Sequence, residues 1–416
     1  MPSISRGDPA HPADPPVRRF LRWSCGRSAL WRGYWLLASV YLVVDAGLSA
    51  SQLVLIGTAQ SAVVFVAEVP AGIVSDLRSR RVSLVIAHVA TGTGMVATGF
   101  VTSFPLLAAT QALCGLGWAF ASGADVAWIT DELDDPVGVP RVLAARARWD
   151  LVGAAAGIVG FGASAAISEL RIGIITSGLT MIALATVVVR FPERPTRFAA
   201  EHGRSRRASY DTLRRAVRAA ALDREVRTVA IAWMLVNGSA DAYGRLVETR
   251  LIELGFSDSD RPILWFTALG LALLGISTVV VHVLERRMDD ERMARRTIVA
   301  ASLVGVVGLI AFASATDVRV ALAGVVLTTG CARPGTVVRT MTEIWVNRRT
   351  ASDVRATTHS LLSLAEQTGE VALGATLAAL ASRSSTWAFA GSAALLLLAA
   401  ALVWSTARGP RPSGGG

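Results

Sequence analysis

The stretch Glu68–Arg81 reads EVPAGIVSDLRSRR and joins two long apolar segments through a short basic turn. Gly72 stands four residues before Asp76, and Arg80 and Arg81 close the turn. A glycine in such a place lets a neighbouring helix come close, and a carboxylate can accept backbone N–H groups at the positive end of a helix. The arginines favour the cytoplasmic side of a membrane. The stretch therefore indicates a cytoplasmic loop between two membrane-spanning helices.

The composition of the whole chain indicates a membrane protein. Of its 416 residues 52% are apolar, and the mean hydropathy is +0.49, which is unusual for a soluble protein of this length. A helix needs about 20 apolar residues to cross a bilayer, and residues 82–103 and 385–404 meet this without any Asp, Glu or Arg. We predict an all-α integral membrane protein with twelve transmembrane helices. They lie near residues 29–49, 52–75, 82–103, 104–129, 150–168, 171–190, 228–256, 261–284, 297–316, 319–345, 355–382 and 385–406.

The 41 basic residues are all arginine, and the formal net charge is +10. Such an excess on its own would be compatible with nucleic-acid binding, but its placement favours membrane topology instead. With a cytoplasmic N-terminus, the predicted inside segments hold 32 of the arginines, and the outside loops hold Arg171, Arg261, Arg319 and Arg383. This bias predicts a multi-pass protein of the inner (plasma) membrane with both termini in the cytoplasm and no nucleic-acid partner.

Residues 190–227 divide the chain nearly in half and contain eleven arginines. We interpret them as a cytoplasmic linker with one surface helix, whose charge keeps it inside and contacts anionic lipids. A site for nucleic acid or an acidic partner is the alternative. The predicted organisation is a cytoplasmic segment at 1–28, a six-helix bundle at 29–190, a linker at 191–227, a second six-helix bundle at 228–406 and a cytoplasmic tail at 407–416.

The N-terminal segment shows no cleavable signal peptide, because residues 1–28 lack a short apolar core followed by small residues. Residues 17–30 combine arginines with Phe20, Leu21 and Trp23. This pattern is typical of an amphipathic helix that lies on the inner leaflet of the membrane.

The opening stretch resembles the signature loop of the major facilitator superfamily of secondary transporters, which reads G-x-x-x-D-(R/K)-x-G-R-(R/K) between helices 2 and 3. The matching residues are Gly72, Asp76, Arg80 and Arg81. Leu77 stands for the expected basic residue, and Ser79 stands for the expected glycine. Glu68 and Pro70, with Gly72, are similar to the E-x-P-x-G run of efflux-type members. A generic apolar hairpin with a basic turn is the alternative interpretation.

The resemblance implies two pseudo-symmetric six-helix bundles around a central cavity, working by alternating access. It also implies export of a small, amphipathic compound such as a drug, by proton antiport. A proton-coupled uptake symporter is the close alternative, and a non-transporting receptor is a more distant one. We expect a small-molecule substrate, protons as the coupling ion, a bilayer environment and a monomer. No catalytic grouping, metal-ligand spacing or phosphate-binding loop is visible, so we expect no enzyme activity, metal or cofactor.

Two departures from efflux-type members concern helices 4 and 5. Many of those members carry an arginine four residues before the glycine that matches Gly115, where this chain has Gln111. The resemblance therefore supplies no buried arginine for proton coupling on helix 4. Helix 5 lacks the Gly-Pro pair of the related antiporter motif, yet its glycines predict close helix contact. They are Gly153, Gly157, Gly160 and Gly162.

Ionisable side chains within the predicted spans are the candidates for chemistry, because they are costly in a membrane and usually face a cavity or a partner. The candidates for proton coupling or the substrate cavity are Asp45, Glu68, Gln111, Asp241, Arg333, Glu366 and Glu370. At about 1.5 Å per residue, Asp241, Arg333 and Glu366 lie near mid-membrane. Local pairing with Arg245 one turn away is the alternative for Asp241. His88 and His282 are interpreted as packed core residues.

The signature loop predicts a cytoplasmic gate. We expect Asp76 to accept hydrogen bonds at the start of helix 11, near residues 356–358. We also expect Arg80 or Arg81 to pair with an acidic residue at the inner end of helix 4. The two acidic candidates are Asp125 and Asp131.

Overall fold

The structure is a computed structural model, and it describes residues 14–133, 138–192, 224–256, 262–286, 291–332, 342 and 352–406. Within these ranges every regular element is helical, as the sequence predicts. In the first half of the chain the helices are α1 (Pro15–Val44), α2 (Ala50–Leu77), α3 (Arg80–Thr98), α4 (Phe104–Ala121), α5 (Ala124–Leu133), α6 (Val139–Ile167) and α7 (Leu170–Val189). The second half has α8 (Arg224–Glu253), α9 (Pro262–Glu285), α10 (Glu291–Ser314), α11 (Val318–Val325), a π-helical segment (Val326–Ala332), α12 (Ser352–Ala381) and α13 (Ser385–Thr406).

Local sequence explains where several helices begin and break. Ser79, in place of the glycine of the family pattern, caps α3 by accepting a hydrogen bond from the backbone N–H of Val82 at 3.0 Å. Gly123 has a φ of +76°, which an L side chain rarely adopts, and it separates α4 from α5 within the predicted fourth span. Asp317 caps α11 by accepting from the N–H of Arg319 at 2.7 Å.

By length and composition, seven helical spans in the described part are apolar enough to cross a membrane. They are Ala50–Ser75, Phe104–Leu133, Val139–Ile167, Leu170–Val189, Pro262–Leu284, Arg292–Ser314 and Ser385–Ser405. The joined span Phe104–Leu133 contains both α4 and α5, so these two helices act as the single fourth span that the sequence predicts.

The chain forms two compact units. The first consists of Met1–Ala46 and Val63–Arg204, and the second of Gly47–Ala62 and Ser205–Gly416. The division passes through α2, whose residues 50–62 belong to the second unit and whose residues 63–77 belong to the first. The domain boundaries given above, which place all of helix 2 in the first bundle, stay a prediction.

Each unit packs its helices in the same order. In the first unit α1 packs against α6 and α7, and α3 packs against α4 and α7. In the second unit α8 packs against α12 and α13, and α10 packs against α13, α11 and the π-helical segment. With α4–α5 and α11–π each taken as one span, the first span contacts the fifth and sixth, and the third contacts the fourth and sixth, in both units.

Glycines allow the closest of these contacts. A Cβ atom at Gly153 or Gly157 of α6 would collide with the backbone of Cys25 or Ala29 on α1. In the second unit, a Cβ at Gly238 of α8 would lie 2.8 Å from a backbone carbonyl oxygen on α12. The predicted close contact of helix 5 is therefore present at Gly153 and Gly157. Around Gly160 the described residues place no atom within 4 Å of such a Cβ.

The N-terminal part of α1 corrects one expectation. Residues 17–30 do not form a separate helix on the membrane surface but are the first half of α1, whose apolar face is buried in the first unit. Phe20 and Trp23 are at most 1% exposed and pack with Trp128 and Phe191, whose rings are 4.4 Å apart. An apolar stripe at helical spacing has the same sequence pattern whether it faces lipid or protein, which is why periodicity pointed to the wrong partner.

Candidate functional site

A polar cluster at the α1–α5–α6 junction in the first unit centres on Asp125, whose side chain is 8% exposed. Asp125 Oδ2 accepts from Arg27 Nη2 at 3.1 Å and from Arg146 Nη2 at 2.6 Å. Arg146 Nε also lies 3.4 Å from Asp150 Oδ2, and Ser24 Oγ donates to Asp150 Oδ1 at 2.5 Å. We call Arg27, Asp125, Arg146 and Asp150 the first cluster. The positive charges of its two guanidinium groups equal the negative charges of its two carboxylates.

The signature-loop arginines contact the same unit next to this cluster. Arg80 Nε lies 3.6 Å from Asp131 Oδ2, and Arg80 Nη1 donates to Ser75 Oγ at 3.1 Å. Arg81 Nη1 donates to the backbone carbonyl oxygen of Phe191 at 3.3 Å. The expected pairing of a loop arginine with the inner end of helix 4 is thus present at Asp131. Asp125 is instead taken by the arginines of the first cluster.

Gly72 and Asp76 complete the signature loop. Gly72 is exposed, and among the described residues no atom lies within 4 Å of the Cβ that a larger residue would add. The close helix approach expected at Gly72 therefore involves none of the described residues and stays a prediction. Asp76 lies in the last turn of α2. Its side chain, and those of residues 356–358 that were expected to bind it, lie outside the described residues, so the gate stays a prediction.

A cavity of about 320 Å³ adjoins the first cluster. Arg32 of α1 faces it and, among the described residues, makes no hydrogen bond or ion pair. Two further walls are the indole rings of Trp31 and Trp118, which stack with their centroids 5.7 Å apart and an interplanar angle of 30°. The remaining lining residues are Arg27, Ser28, Ala87, His88, Thr91, Gly117, Ala121, Asp150 and Met181.

His88 is a hydrogen-bonded wall of this cavity. Trp23 Nε1 donates to His88 Nε2 at 3.1 Å, and His88 Nδ1 lies 2.7 Å from the backbone carbonyl oxygen of Leu84. Because the indole N–H can only donate and the carbonyl can only accept, this arrangement requires a neutral imidazole protonated at Nδ1. His88 is a packed core residue, as we predict from the sequence, and adds no charge to the cavity.

Gln111 lies in the interior of the first unit and is fully buried. Its Nε2 donates to the Tyr34 hydroxyl at 2.6 Å and to Thr98 Oγ1 at 3.1 Å. Thr98 in turn donates to Thr110 Oγ1 at 2.9 Å. Where efflux-type members carry an arginine, this chain therefore has an uncharged network of hydroxyl and amide groups that joins α1, α3 and α4.

A second polar cluster lies in the second unit. Arg245 Nε donates to both carboxylate oxygens of Asp241, at 3.1 and 3.2 Å, and Arg245 Nη2 donates to Gln60 Oε1 at 3.1 Å. Ser61 Oγ donates to Glu370 Oε2 at 2.5 Å. We call these five residues the second cluster. The local pairing that was the alternative for Asp241 is observed, and Glu370 is bound by a hydroxyl group of α2.

The other sequence-predicted candidates are spread more widely. Glu366 lies one turn before Glu370 on α12 and is half-buried, as is Glu68 on α2. Asp45 is exposed and follows the end of α1 instead of lying within the predicted span, because the helix ends at Val44. Arg333 lies outside the described residues.

Several residues at these sites carry little signal in the sequence. Gln60 and Ser61 have no charge and sit in an apolar stretch, so only their contacts reveal them. Arg32 carried a usable signal, because an arginine within a predicted span is rare and usually has a functional reason. Arg27 and Arg146 were assigned to the cytoplasmic segments by their charge alone.

The family model described as Major Facilitator Superfamily matches residues 25–338, about three quarters of the chain. The chain belongs to the Major Facilitator Superfamily. No curated protein sequence matches it.

Solved structures of other transporters have a similar fold over nearly the whole length of this chain. The nucleoside transporter NupG has a TM-score of 0.75 at 13% identity, covering 95% of this chain and 100% of NupG. A POT family transporter in complex with a thioalcohol-conjugated peptide gives 0.67 at 12% identity, with coverages of 94% and 96%. A bacterial homologue of the human lysosomal transporter Spinster, inward-facing and unoccupied, gives 0.67 at 14% identity, with coverages of 95% and 98%. At these identities the likeness shows the fold.

The family match and the fold together establish the class of protein. The superfamily member is a multi-pass, all-α membrane transporter with the twelve-helix, two-bundle fold that the sequence predicts. It is a transporter and not an enzyme.

Proposed function

We propose that this transporter exports a small amphipathic compound in exchange for protons, and that Glu370 is the carboxyl group that binds and releases the proton. The observation that carries the proposal is the hydrogen bond from Ser61 on α2 to Glu370 on α12, next to the Asp241–Arg245 pair. Ionisable residues that face the interior of a transmembrane bundle typically mark proton pathways.

The second cluster links the charge of Glu370 to the position of α2. An ionised carboxylate accepts a charge-assisted hydrogen bond from Ser61, and such bonds contribute about 1.5–3 kcal/mol. Protonation of Glu370 weakens this bond, while the bond from Arg245 to Gln60 remains. The difference between a charged and a neutral hydrogen bond, about 1 kcal/mol, shifts a balanced two-state equilibrium severalfold. The protonation state of Glu370 thereby favours one arrangement of α2 over another, as alternating access requires.

Several features support the rest of the proposal. No ATP-binding motif is visible in the sequence, which favours an ion gradient as the energy source. The likeness of Glu68, Pro70 and Gly72 to the efflux-type run favours export. The arginine bias favours the inner (plasma) membrane, with both termini and residues 191–227 in the cytoplasm. We take the working form to be a monomer.

The test is a substrate-dependent pH change in proteoliposomes that contain the pH dye pyranine. Compound added outside enters down its gradient, so antiport drives protons out and the lumenal pH rises. Uptake-type symport would lower it, and this sign does not depend on the orientation of the reconstituted protein. We suggest a panel of amphipathic aromatic compounds that begins with 2-naphthoate, with protein-free liposomes to correct for passive entry.

The matched variants are Glu370→Gln and Glu253→Gln. Glu370→Gln should abolish the pH change, whereas Glu253→Gln, an exposed carboxylate of the same unit, should keep it. Infrared titration of the purified protein should also lose a protonated-carboxyl band only in Glu370→Gln. A full pH response in Glu370→Gln would remove Glu370 from the proton pathway, and a fall in lumenal pH would replace antiport by symport.

A further inference from the structure

We propose that the cavity of the first unit is a binding site for a planar aromatic anion, such as an aryl carboxylate. Arg32 binds the anionic group, and Trp31 and Trp118 hold the ring. The site lies in a different unit from the second cluster, so the proposal goes beyond proton coupling and does not rest on it.

The charges around the cavity leave one guanidinium group without a described counter-charge. Arg27 is bound by Asp125 and lies 5.0 Å from the ring of Trp23, and Arg146 is shared between Asp125 and Asp150. These groups balance one another, and His88 is neutral. Arg32 is therefore the surplus positive charge that faces the cavity.

The position of Arg32 makes this surplus charge costly. It lies within the predicted first span, residues 29–49, twelve residues before the end of α1 at Val44, and its side chain is exposed toward the cavity. An unpaired arginine within a membrane span is expensive and normally marks a ligand or a pathway. An anionic ligand would supply the missing counter-charge and form paired hydrogen bonds with the guanidinium group.

The aromatic walls specify the rest of the ligand. Trp31 and Trp118 both line the cavity, and their rings lie 5.7 Å apart with an interplanar angle of 30°, so two indole rings form one wall. Indole rings bind flat rings by stacking and add cation–π contact with a nearby guanidinium group. The volume of about 320 Å³ is at the lower end of the range for small-molecule sites. A ligand of one or two rings with a single carboxylate fits these constraints.

The experiment measures equilibrium binding of radiolabelled 2-naphthoate to the full chain in lipid nanodiscs, with empty nanodiscs subtracted. Three competitors separate the elements of the proposal: neutral 2-naphthamide, cationic 2-naphthylmethylamine and non-aromatic cyclohexanecarboxylate. We expect saturable binding of 2-naphthoate and at least tenfold weaker competition by each of the three. An amide that competes as well as the carboxylate would overturn the requirement for an anion.

The variants assign the binding to the cavity. Arg32→Gln should weaken 2-naphthoate binding at least tenfold, Arg32→Lys should recover part of it, and Trp118→Leu should weaken it severalfold. Arg383→Gln removes the same charge from an exposed turn in the other unit and should bind as wild type. Melting temperatures show whether each variant is folded. Absence of saturable binding in the wild type, or wild-type binding by folded Arg32→Gln, would overturn the site.

This outcome is separable from that of the transport assay. Naphthoate binding that depends on Arg32 without any pH change would leave the cavity site standing and remove proton coupling. A pH response to another compound, with no binding of 2-naphthoate, would support proton coupling and remove the cavity site.

Discussion

Asp125 is the residue on which the first cluster depends, because one buried carboxylate serves both Arg27 and Arg146. Asp125→Asn leaves both guanidinium groups without that charge, and breaking a buried pair in this way costs about 3 kcal/mol or more. We expect a clear fall in melting temperature in detergent. Asp150→Asn is the comparison, since that side chain is 33% exposed and should cost less. Equal melting temperatures for the two variants would contradict the central role of Asp125.

In the second cluster, the hydrogen bond from Ser61 to Glu370 can be tested by substitution in the same way. Ser61→Ala removes the hydroxyl group that donates to Glu370, and the loss of a hydrogen bond to a charged group should reduce proton-coupled transport about tenfold. Ser61→Thr keeps a hydroxyl group and should retain most of the activity. The pyranine assay measures both. Loss of coupling in Ser61→Thr equal to that in Ser61→Ala would show that space, and not the hydrogen bond, matters at this position.

Contacts between polar residues could be predicted from the sequence only where the two residues lie about one helical turn apart. Asp241 and Arg245 are one helical turn apart, and their pairing follows from that spacing. Glu370 was a candidate because it is a carboxyl group in an apolar segment. Ser61 and Glu370 are 309 residues apart along the chain, and no property of either residue indicates that they meet.

At the scale of helices, Gly157 and Gly160 on α6 offer a matched pair. Alanine at 157 would push its methyl group into the backbone of Ala29 on α1, whereas alanine at 160 meets no described atom within 4 Å. Gly157→Ala should therefore lower the melting temperature of the protein. Gly160→Ala should leave it unchanged or raise it, because alanine favours a helix over glycine by about 1 kcal/mol. A lower melting temperature in Gly160→Ala alone would contradict the helix packing described above.

Helix positions followed well from the sequence, but their partners did not. The glycine spacing of helix 5 predicted a close neighbour without identifying α1. The first half of α1 carried a buried stripe that was assigned to the membrane surface, because arginines on its other face are equally suited to lipid headgroups and to water. The break at Gly123 depends on a single backbone conformation, which a glycine permits but does not require.

At the scale of the whole molecule, the arginine distribution predicts the orientation in the membrane. Single cysteines replacing Ser205 and Asp317, in a background without native cysteine, test it with an impermeant maleimide. Asp317→Cys should be labelled from outside intact cells, and Ser205→Cys only after the membrane is opened. Labelling of position 205 in intact cells would reverse the assigned topology.

The twelve-helix fold could be predicted as a whole because the signature loop and the apolar spans are each continuous in the sequence. The repeated packing order of the two units could be predicted only in outline, as six spans on either side of an arginine-rich segment. The polar clusters of the two units contain different charged groups. Their members come from helices that are far apart in the sequence, so the clusters could not be predicted from it.

Because the first part of α2 belongs to the second unit, the C-terminal half of the chain does not contain a complete unit. A fragment made of residues 205–416 would lack Gly47–Ala62, leaving Arg245 without Gln60 and Glu370 without Ser61. The complementary fragment, residues 1–204, would carry that missing segment. Encoded separately and produced in the same cell, the two fragments should recognise each other and co-purify, much as partners do in domain swapping. A chain cut within its linker should thus give two polypeptides that remain associated.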